Sequence, residues 1–443
     1  MSQRIAIMGA GLVGSLLANY LAKRGFQVSV YEKRPDPRKA DLTAGRSINL
    51  ALSHRGLRAL DGVGLAEEVQ KLVIPMKGRM MHDVEGNLTF QAYGREGQHI
   101  NSISRNGLNE LLIERAEQKG AQFHFGHKLM QVNPDQTEAH LLDEQGSEIR
   151  ITPELLIGSD GAFSNVRKSF MHYDRFSYSQ HYIEHGYKEL TIPPTIGDNF
   201  ALRPNALHIW PRRSYMLIAL PNLDRSFTVT LFFPFEGRPS FDTVQNRDAM
   251  WNFFRGAFPD VVGLMPDLEH DFFHNPTSSL VTVQCFPWVK NRTLILGDAS
   301  HAIVPFYGQG MNAGFEDCRV FDNYLEKYGT DWDKLLDAYQ KERKPDADAI
   351  SELALKNFTE MRDHVADESF LLRKKIEARL HELYPDEWMP LYSMVTFSDL
   401  RYSEALSLGK KQAKIMDGVM EQDGIFLEWE MLNFKKIVRQ LRK

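Results

Sequence analysis

Gly9-Ala10-Gly11-Leu12-Val13-Gly14 stands between a short apolar run, Ile5 to Met8, and a helix-forming stretch that reaches Lys23. The pattern predicts a strand, a glycine turn, a helix from about Gly14 to Lys23 and a second strand from Gln27 to Glu32, the opening of a βαβ unit. A parallel sheet covered by helices follows from it. In such a turn Gly9, Gly11 and Gly14 allow the tight bend, a close approach by pyrophosphate and close helix packing. Phosphate would lie on the free N–H groups at the helix start, beside Val13. Glu32 ends the second strand, where a carboxylate accepts hydrogen bonds from ribose hydroxyls and disfavours a 2'-phosphate. FAD or NAD therefore suits this turn better than NADP. A lone glycine motif is a weak signal, but here strand, helix and acid stand where the mechanism needs them.

Working outward, the 443 residues exceed what one core usually holds, so more than one structural unit is expected. With 43% hydrophobic and 25% charged residues the composition is that of a globular protein. The formal charge of -5 gives no general attraction for polyanions, which argues against a nucleic-acid partner. Cys285 and Cys318 are the only cysteines, too few for a disulfide framework and without zinc-site spacing, so no metal is expected and a reducing cytoplasm suits them. No run is long and apolar enough for an integral membrane segment, and the N-terminal run lacks the features of a signal peptide. The tail carries Lys435, Lys436, Arg439, Arg442 and Lys443 among Ile437, Val438 and Leu441. It reads as a solvated helix face, with contact to an acidic membrane as the alternative.

From His185 to Phe235 the texture changes to strand-like segments, Leu207 to Trp210, Tyr215 to Leu220 and Ser226 to Phe233. In the last of these Phe227, Val229, Leu231 and Phe233 share one face, and Phe232 is the apolar exception on the other, a candidate for a pocket wall or for cover by a helix. After Pro345 apolar and charged residues recur at helical spacing.

Two later segments decide between the dinucleotides. Ile157 to Arg167, with Ser159-Asp160-Gly161, resembles the Asp-Gly motif of flavoprotein hydroxylases, and Gly297-Asp298-Ala299-Ser300-His301-Ala302 resembles their Gly-Asp motif. Asp298 follows the apolar strand Thr293 to Leu296, at the carboxyl end where α/β sheets bind ligands, although a strand-ending Asp also serves as a helix cap. Pro305-Phe306-Tyr307-Gly308-Gln309-Gly310-Met311-Asn312 then supplies small residues where a flat ring must approach backbone, with a helix starting near Met311 whose dipole would favour negative charge on the flavin. His301 reads as a packing or capping residue rather than a base. With a single glycine motif and no second dinucleotide domain, the chain resembles the class A flavoprotein monooxygenases, FAD-dependent aromatic hydroxylases. That resemblance implies non-covalent FAD reduced by NADPH, oxygen added at flavin C4a, and transfer of one oxygen atom to an electron-rich ring. The flavin would perform the chemistry, so no acid or base is assigned.

Further stretches are similar to the kynurenine-hydroxylating branch of that family: Gly45-Arg46-Ser47-Ile48-Asn49-Leu50-Ala51, Ser104-Arg105-Asn106-Gly107, His185-Gly186-Tyr187, His208-Ile209-Trp210-Pro211-Arg212, Asn357 to Arg362 and Pro390 to Phe397. The resemblance implies L-kynurenine and O2 as substrates and 3-hydroxy-L-kynurenine as product, in tryptophan catabolism. It assigns the substrate carboxylate to Arg79 with Tyr93, and closure of the site to Asn357 and Tyr392. Leu207, Met216, Ile218, Leu220, Phe232, Phe306 and Met361 become the apolar wall. Val13, Glu32, Arg34, Arg46, Ala51, Arg105, Leu129, Asp160, Asp298, Pro305, Gly310, Met311 and Asn312 become FAD contacts. Without the family, Arg79 would read as a surface residue, and Tyr93, Asn357 and Tyr392 as packing residues. A charged C-terminal helix in place of a membrane segment implies a soluble, bacterial-type member; a homodimer is left open. A hydroxylase of another aromatic acid and a non-catalytic FAD-fold binding protein are the alternatives. The fold expected is α/β: a Rossmann-like FAD-binding domain (1–70, 99–175 and 284–344), an antiparallel-sheet substrate domain (71–98 and 176–283), and a C-terminal helical unit (345–443).

Overall fold

A computed structural model describes residues 3–39, 49–360 and 368–442. Its first layer is a six-stranded sheet in the order β18 (Val289–Lys290), β19 (Thr293–Ile295), β12 (Leu155–Gly158), β1 (Arg4–Met8), β2 (Gln27–Tyr31), β8 (Gln122–His124). All neighbours run parallel except β18, which is antiparallel to β19. The central strands are apolar on both faces because helices cover both: Ile5, Ala6, Ile7, Met8 and Leu155, Leu156, Ile157 are all buried. The helix Leu12–Lys23 lays Leu16, Leu17 and Leu21 against this sheet. The sheet has the parallel, helix-covered form that the glycine turn predicts.

A second layer is a seven-stranded sheet in the order β17 (Ser278–Phe286), β13 (Ser177–Ile192), β16 (Phe227–Pro234), β15 (Tyr215–Pro221), β14 (Leu207–Arg212), β5 (Gly78–His82), β6 (Leu88–Ala92). It is antiparallel throughout save for the β5–β14 pair, which is parallel. One face packs Phe227, Val229, Leu231 and Phe233 under Met250, Phe254, Phe258 and Phe272 from the helical excursion after β16. Period-two alternation sends Thr228, Thr230 and Phe232 to the opposite face, towards the flank of the first sheet. Two three-stranded sheets complete the strands: β3 (Asn49–Leu52), β7 (Ile100–Ser104) and β4 (Val73–Met76) bridge the layers, and β9 (Lys128–Asn133), β10 (Glu138–Leu142) and β11 (Glu148–Ile151) form a meander.

The helices after Tyr328 begin earlier than the composition suggests. The helix Trp332–Thr359 runs unbroken through Pro345, although proline removes a backbone donor and crowds the preceding turn. Buried ion pairs hold the helix on both sides of the proline. Arg343, 2% exposed, bonds Asp317 Oδ1 at 2.8 Å, Glu316 Oε2 at 3.0 Å and Asp346 Oδ2 at 3.3 Å. Glu316 also takes Arg55 at 2.8 Å, and Asp346 takes Arg401 at 3.0 Å and the Ser403 N–H at 3.1 Å. These charges fasten the helices Gly310–Tyr328, Trp332–Thr359 and Tyr402–Met420 to one another. No helix among the described residues is long and apolar enough to cross a membrane.

Removing Arg343 would leave three buried carboxylates short of a partner. Arg343→Met is expected to cost about 3–5 kcal/mol of stability, read as a lower denaturant midpoint with an unchanged slope. An unchanged midpoint would show that the cluster does not hold the helices together.

Candidate active site

The two large sheets and the helix Gly310–Tyr328 enclose one continuous cavity of about 770 Å³, which runs from Glu32 and Arg34 at one end to Arg79 and Tyr392 at the other. Its volume is in the range of a cofactor or substrate site.

At the nucleotide end, β1 stops at Met8 and the chain turns through Gly9 and Gly11 into the helix Leu12–Lys23. A β-carbon on Gly14 would stand 2.0 Å from the Gly9 carbonyl oxygen, so only glycine lets the helix start so close to the turn. Gly14 packs behind the cavity; Gly9, Gly11 and Val13 line it. A β-carbon on Gly11 would meet nothing within 4 Å, and no side chain caps this helix. Open space in front of uncapped N–H groups is what a pyrophosphate requires. Glu32, 7% exposed, accepts the Ala10 N–H at 3.0 Å and the Arg34 N–H and Nε–H at 3.0 and 2.9 Å. Burial pushes its carboxyl up, but Arg34 and these N–H donors outweigh burial and leave it below the ordinary value. It stays anionic, rigid and available to ribose hydroxyls.

Midway, Asp160 and Asp298 both line the cavity. Asp160 Oδ2 accepts the Asn165 N–H at 2.6 Å and the Val166 N–H at 3.2 Å, while Oδ1 is buried without a hydrogen-bond partner. Burial pushes both carboxyls above the ordinary range; for Asp298 the Arg105 and His301 charges oppose it. An orphaned buried acceptor calls for a donor that the chain does not supply, and a polyol chain supplies one. Arg105 begins the helix Arg105–Gln118, capped by Ser104, and lines the cavity with Ala51, Leu129, Pro305, Gly310 and Met311. The helix Gly310–Tyr328 also starts without a side-chain cap. The nucleotide and middle portions thus fit FAD.

Asn312 does not line the cavity. Its Oδ1 accepts the Ser53 N–H at 2.9 Å and its Nδ2 donates to the Ala51 and Gly308 carbonyls, each at 2.8 Å, so both ends of the amide clamp backbone behind the site. His301 is also behind it, its Nε2 2.6 Å from Asp317 Oδ2, which accepts the Gly297 N–H at 3.0 Å. Arg46 and Met361 lie outside the described residues.

At the far end three strands of the second sheet present Leu207, Met216, Ile218, Leu220 and Phe232 to the cavity. Phe306 faces Phe232 at 5.0 Å between ring centroids and stacks on Phe358 at 4.2 Å. Arg79, on β5, places its guanidinium 4.9 Å from the Tyr392 ring centre and 5.5 Å from that of Tyr93, and the two rings stack 10° from parallel. Tyr307 stacks on the other side of Tyr392 at 5.6 Å. The Arg79 Nε and the Tyr93 hydroxyl are buried with no hydrogen-bond partner. Burial holds the Tyr93, Tyr307 and Tyr392 phenols above their ordinary value, so they remain donors. A guanidinium whose Nε is buried and unpaired, beside a buried unpaired hydroxyl, suits an anionic acceptor.

Asn357 is not among the described residues that line the cavity. It lies behind the wall, 8% exposed, and its Nδ2 donates to the Phe306 carbonyl at 2.7 Å. That oxygen, in the single turn Pro305–Tyr307, needs a donor. The sequence reading also omits Tyr187, Thr230 and Tyr307, which line the cavity. Tyr187 pairs with Phe232 across β13 and β16; in the sequence it stood within the family-like stretch His185-Gly186-Tyr187 with no role assigned to it.

Residues 2–354 match the model of the FAD binding domain family. A kynurenine 3-monooxygenase of Flavobacterium johnsoniae is 50% identical over 100% of this chain and 99% of its own length. One of Sus scrofa is 47% identical over 93% of this chain and 88% of its own. Among solved structures, 2-methyl-3-hydroxypyridine-5-carboxylic acid oxygenase superposes with a TM-score of 0.68, covering 82% of this chain and 94% of that one at 19% identity. PqsL of Pseudomonas aeruginosa does so with a TM-score of 0.65 at 19% identity, over 82% of this chain and 97% of its own. At such identity these two speak for the fold alone.

The tightest point of the nucleotide turn gives a direct test. Gly14→Ala should weaken FAD binding by ~10-fold or more, because overpacking costs about 1–3 kcal/mol. Flavin absorbance per mole of purified protein measures it, and full FAD occupancy would contradict the packing argument.

Proposed function

The chain belongs to the kynurenine 3-monooxygenases, and from that membership we propose how its residues divide the work of hydroxylating L-kynurenine. It is an FAD-dependent monooxygenase whose overall reaction takes L-kynurenine, O2, NADPH and a proton to 3-hydroxy-L-kynurenine, water and NADP⁺. Bound FAD, once reduced by NADPH, supplies the electrons that activate O2 and the means of passing one oxygen atom to the ring.

The chain's own residues bind, orient and exclude water. The uncapped start of the helix Leu12–Lys23 would hold the pyrophosphate, Glu32 the adenosine ribose, and Asp160 and Asp298 the polyol. Backbone N–H groups at Gly310 and Met311 would face the pyrimidine edge, where negative charge develops on reduction. Arg79 would grip the amino-acid carboxylate, and Tyr93 and Tyr392 would flank it as protonated donors. The aniline ring would then lie along Leu207, Met216, Ile218, Leu220 and Phe232, opposite Phe306. Asn357 acts through Phe306, whose carbonyl it fixes. The unsatisfied Arg79 Nε beside the unsatisfied Tyr93 hydroxyl carries this reading, because the site is incomplete without an anionic acceptor. Two buried free thiols, Cys285 and Cys318, support a cytoplasmic setting.

Incubation with FAD, NADPH and L-kynurenine, with the product identified by mass spectrometry, tests the activity; no 3-hydroxykynurenine would end the reading. Arg79→Met is expected to weaken kynurenine binding roughly 10- to 150-fold, the equivalent of about 1.5–3 kcal/mol for a charge-assisted pair, with the flavin spectrum retained. Unchanged affinity would remove Arg79 from the site. Asn357→Ala should raise hydrogen peroxide per NADPH consumed more than it raises KM, since it frees a wall residue and not a substrate contact. A rise in KM alone would return Asn357 to direct binding.

A further inference from the structure

Behind the substrate sheet, on the face away from the cavity, His82 at the end of β5 and His208 on β14 are 3% and 2% exposed. They form a chain of three short contacts: Asp260 Oδ2 to His82 Nδ1 at 2.7 Å, His82 Nε2 to His208 Nδ1 at 2.8 Å, and His208 Nε2 to the Arg203 carbonyl oxygen at 2.9 Å. The carbonyl oxygen at one end is an acceptor only, and so is an ionised carboxylate at the other. Each contact is too short for two lone pairs to face one another, so each needs its own proton. Two neutral imidazoles carry one N–H proton apiece, which leaves one contact of the three without a proton.

We propose that His82, His208 and Asp260 form a relay that holds one proton more than two neutral imidazoles and a carboxylate carry, and that this proton positions β5 and the Arg79 it bears. The proposal rests on the reading of Arg79 as the carboxylate receptor. Burial pushes His208 down to about 4, so His208 is the neutral member, accepting at Nδ1 and donating from Nε2. The extra proton therefore sits on His82. The His82 ring stacks on the Trp210 indole at 3.9 Å, a face that favours a cation, and Asp260 Oδ2, which balances the charge, also accepts the Trp210 Nε1–H at 2.8 Å.

The surroundings limit how firmly the proton is held. Burial pushes His82 below its ordinary range, with Asp260 and Asp83 opposing and Arg212 adding to the push. The Arg212 guanidinium donates to the His82 carbonyl at 3.0 Å, the Asp83 carbonyl at 2.9 Å and the Ala257 carbonyl at 2.6 Å; the Glu85 and Asp83 charges stand near it. The Arg203 guanidinium lies over the Phe90 ring of β6, at 4.9 Å, and its charge adds to the downward push on His208. As pH rises, the His82 proton leaves first and one of the three contacts becomes repulsive. The relay ties β5 to β14 and to the helix Pro259–Val262, and β5 pairs Arg79 with Leu207, a wall residue, so the break falls beside the carboxylate receptor. His82, His208 and Asp260 are positioning residues; none of them lines the cavity.

The experiment is NMR of the full-length, FAD-loaded protein labelled with ¹⁵N-histidine, from about pH 5 to about pH 8, the range in which histidines titrate, beside KM and kcat for L-kynurenine over the same range. The expected result is a His82 with both ring nitrogens protonated on the acid side. Loss of that proton should coincide with a roughly 5- to 10-fold rise in KM, the size of one lost hydrogen bond, and little change in kcat. In Asp260→Asn an acceptor remains but the counter-charge is gone, and both midpoints should move together to lower pH. A His82 with a single ring proton throughout would overturn the proposal, as would a KM profile that does not follow the His82 signal. The comparison within the unaltered protein decides the matter if the variant does not fold. Arg79→Met separates the two readings. Unchanged kynurenine affinity there refutes the carboxylate receptor, whereas weakened affinity with no matching ionisation in the parent refutes the relay.

Discussion

Two segments far along the chain converge on Val13, at separations that leave little or no room for a β-carbon on their glycines. A β-carbon on Gly314 would stand 2.6 Å from Val13 Cγ2, and one on Gly297 would stand 3.1 Å from Val13 Cγ1. This contact sets the distance between the first helix, the Gly-Asp turn and the helix Gly310–Tyr328, and so the width of the cleft in which a flat ring would lie. The charges behind it keep that distance. Asp317 binds the Gly297 N–H, His301 and Arg343 at once, and burial is outweighed by those partners, which leave its carboxyl below the ordinary range. Tight apolar packing on one side and a satisfied ionic cluster on the other make a cleft that does not need its ligand to give it shape.

The substrate half depends on a different constraint. A sheet with one face in contact with helices and the other with a cavity must alternate strictly, and β16 does so: Phe227, Val229, Leu231 and Phe233 go to the helices, Thr230 and Phe232 to the cavity. The aromatic pair Phe232–Phe306 closes the gap between this face and the turn Pro305–Tyr307. The turn is braced by Asn357 and Phe358, both on the helix Trp332–Thr359. Among the described residues, the C-terminal helices reach the cavity directly through Tyr392, and otherwise by holding the residues that line it.

Much of this was legible in the sequence, and the reasons it was legible are physical. The glycine turn could be read from a forbidden β-carbon and Asp298 from a strand end, whereas Asp160 stood out only by resemblance to the flavoprotein hydroxylases. The odd face of Phe232 could be read from period two alone. Asn357 and Asn312 could not be placed, because an amide serves a ligand or a backbone carbonyl equally well and only the fold says which is near. The stretch His185-Gly186-Tyr187 marked the neighbourhood, but placing Tyr187 on the cavity needed the β13–β16 register. The helix through Pro345 ran against a sound local rule, overridden by the buried Arg343 pairs one turn of sequence could not reveal. The His82–His208 contact joins strands whose pairing is parallel and distant, and neither histidine has a neighbour in sequence that points to the other.

That parallel pairing also has a consequence for the birth of the protein on the ribosome. The hairpin of β5 and β6 emerges early, yet its inner partner β14 is made long afterwards, once the whole of β7 to β13 has been synthesised. A lone two-stranded hairpin is marginal in water, and non-local pairing must wait for the chain to arrive. Until β14 docks, the nascent chain presents an open strand edge carrying Arg79 to whatever chaperone or neighbouring chain is at hand. The strand that carries Arg79 is therefore among the first parts of the second sheet to be translated and among the last to be set in place.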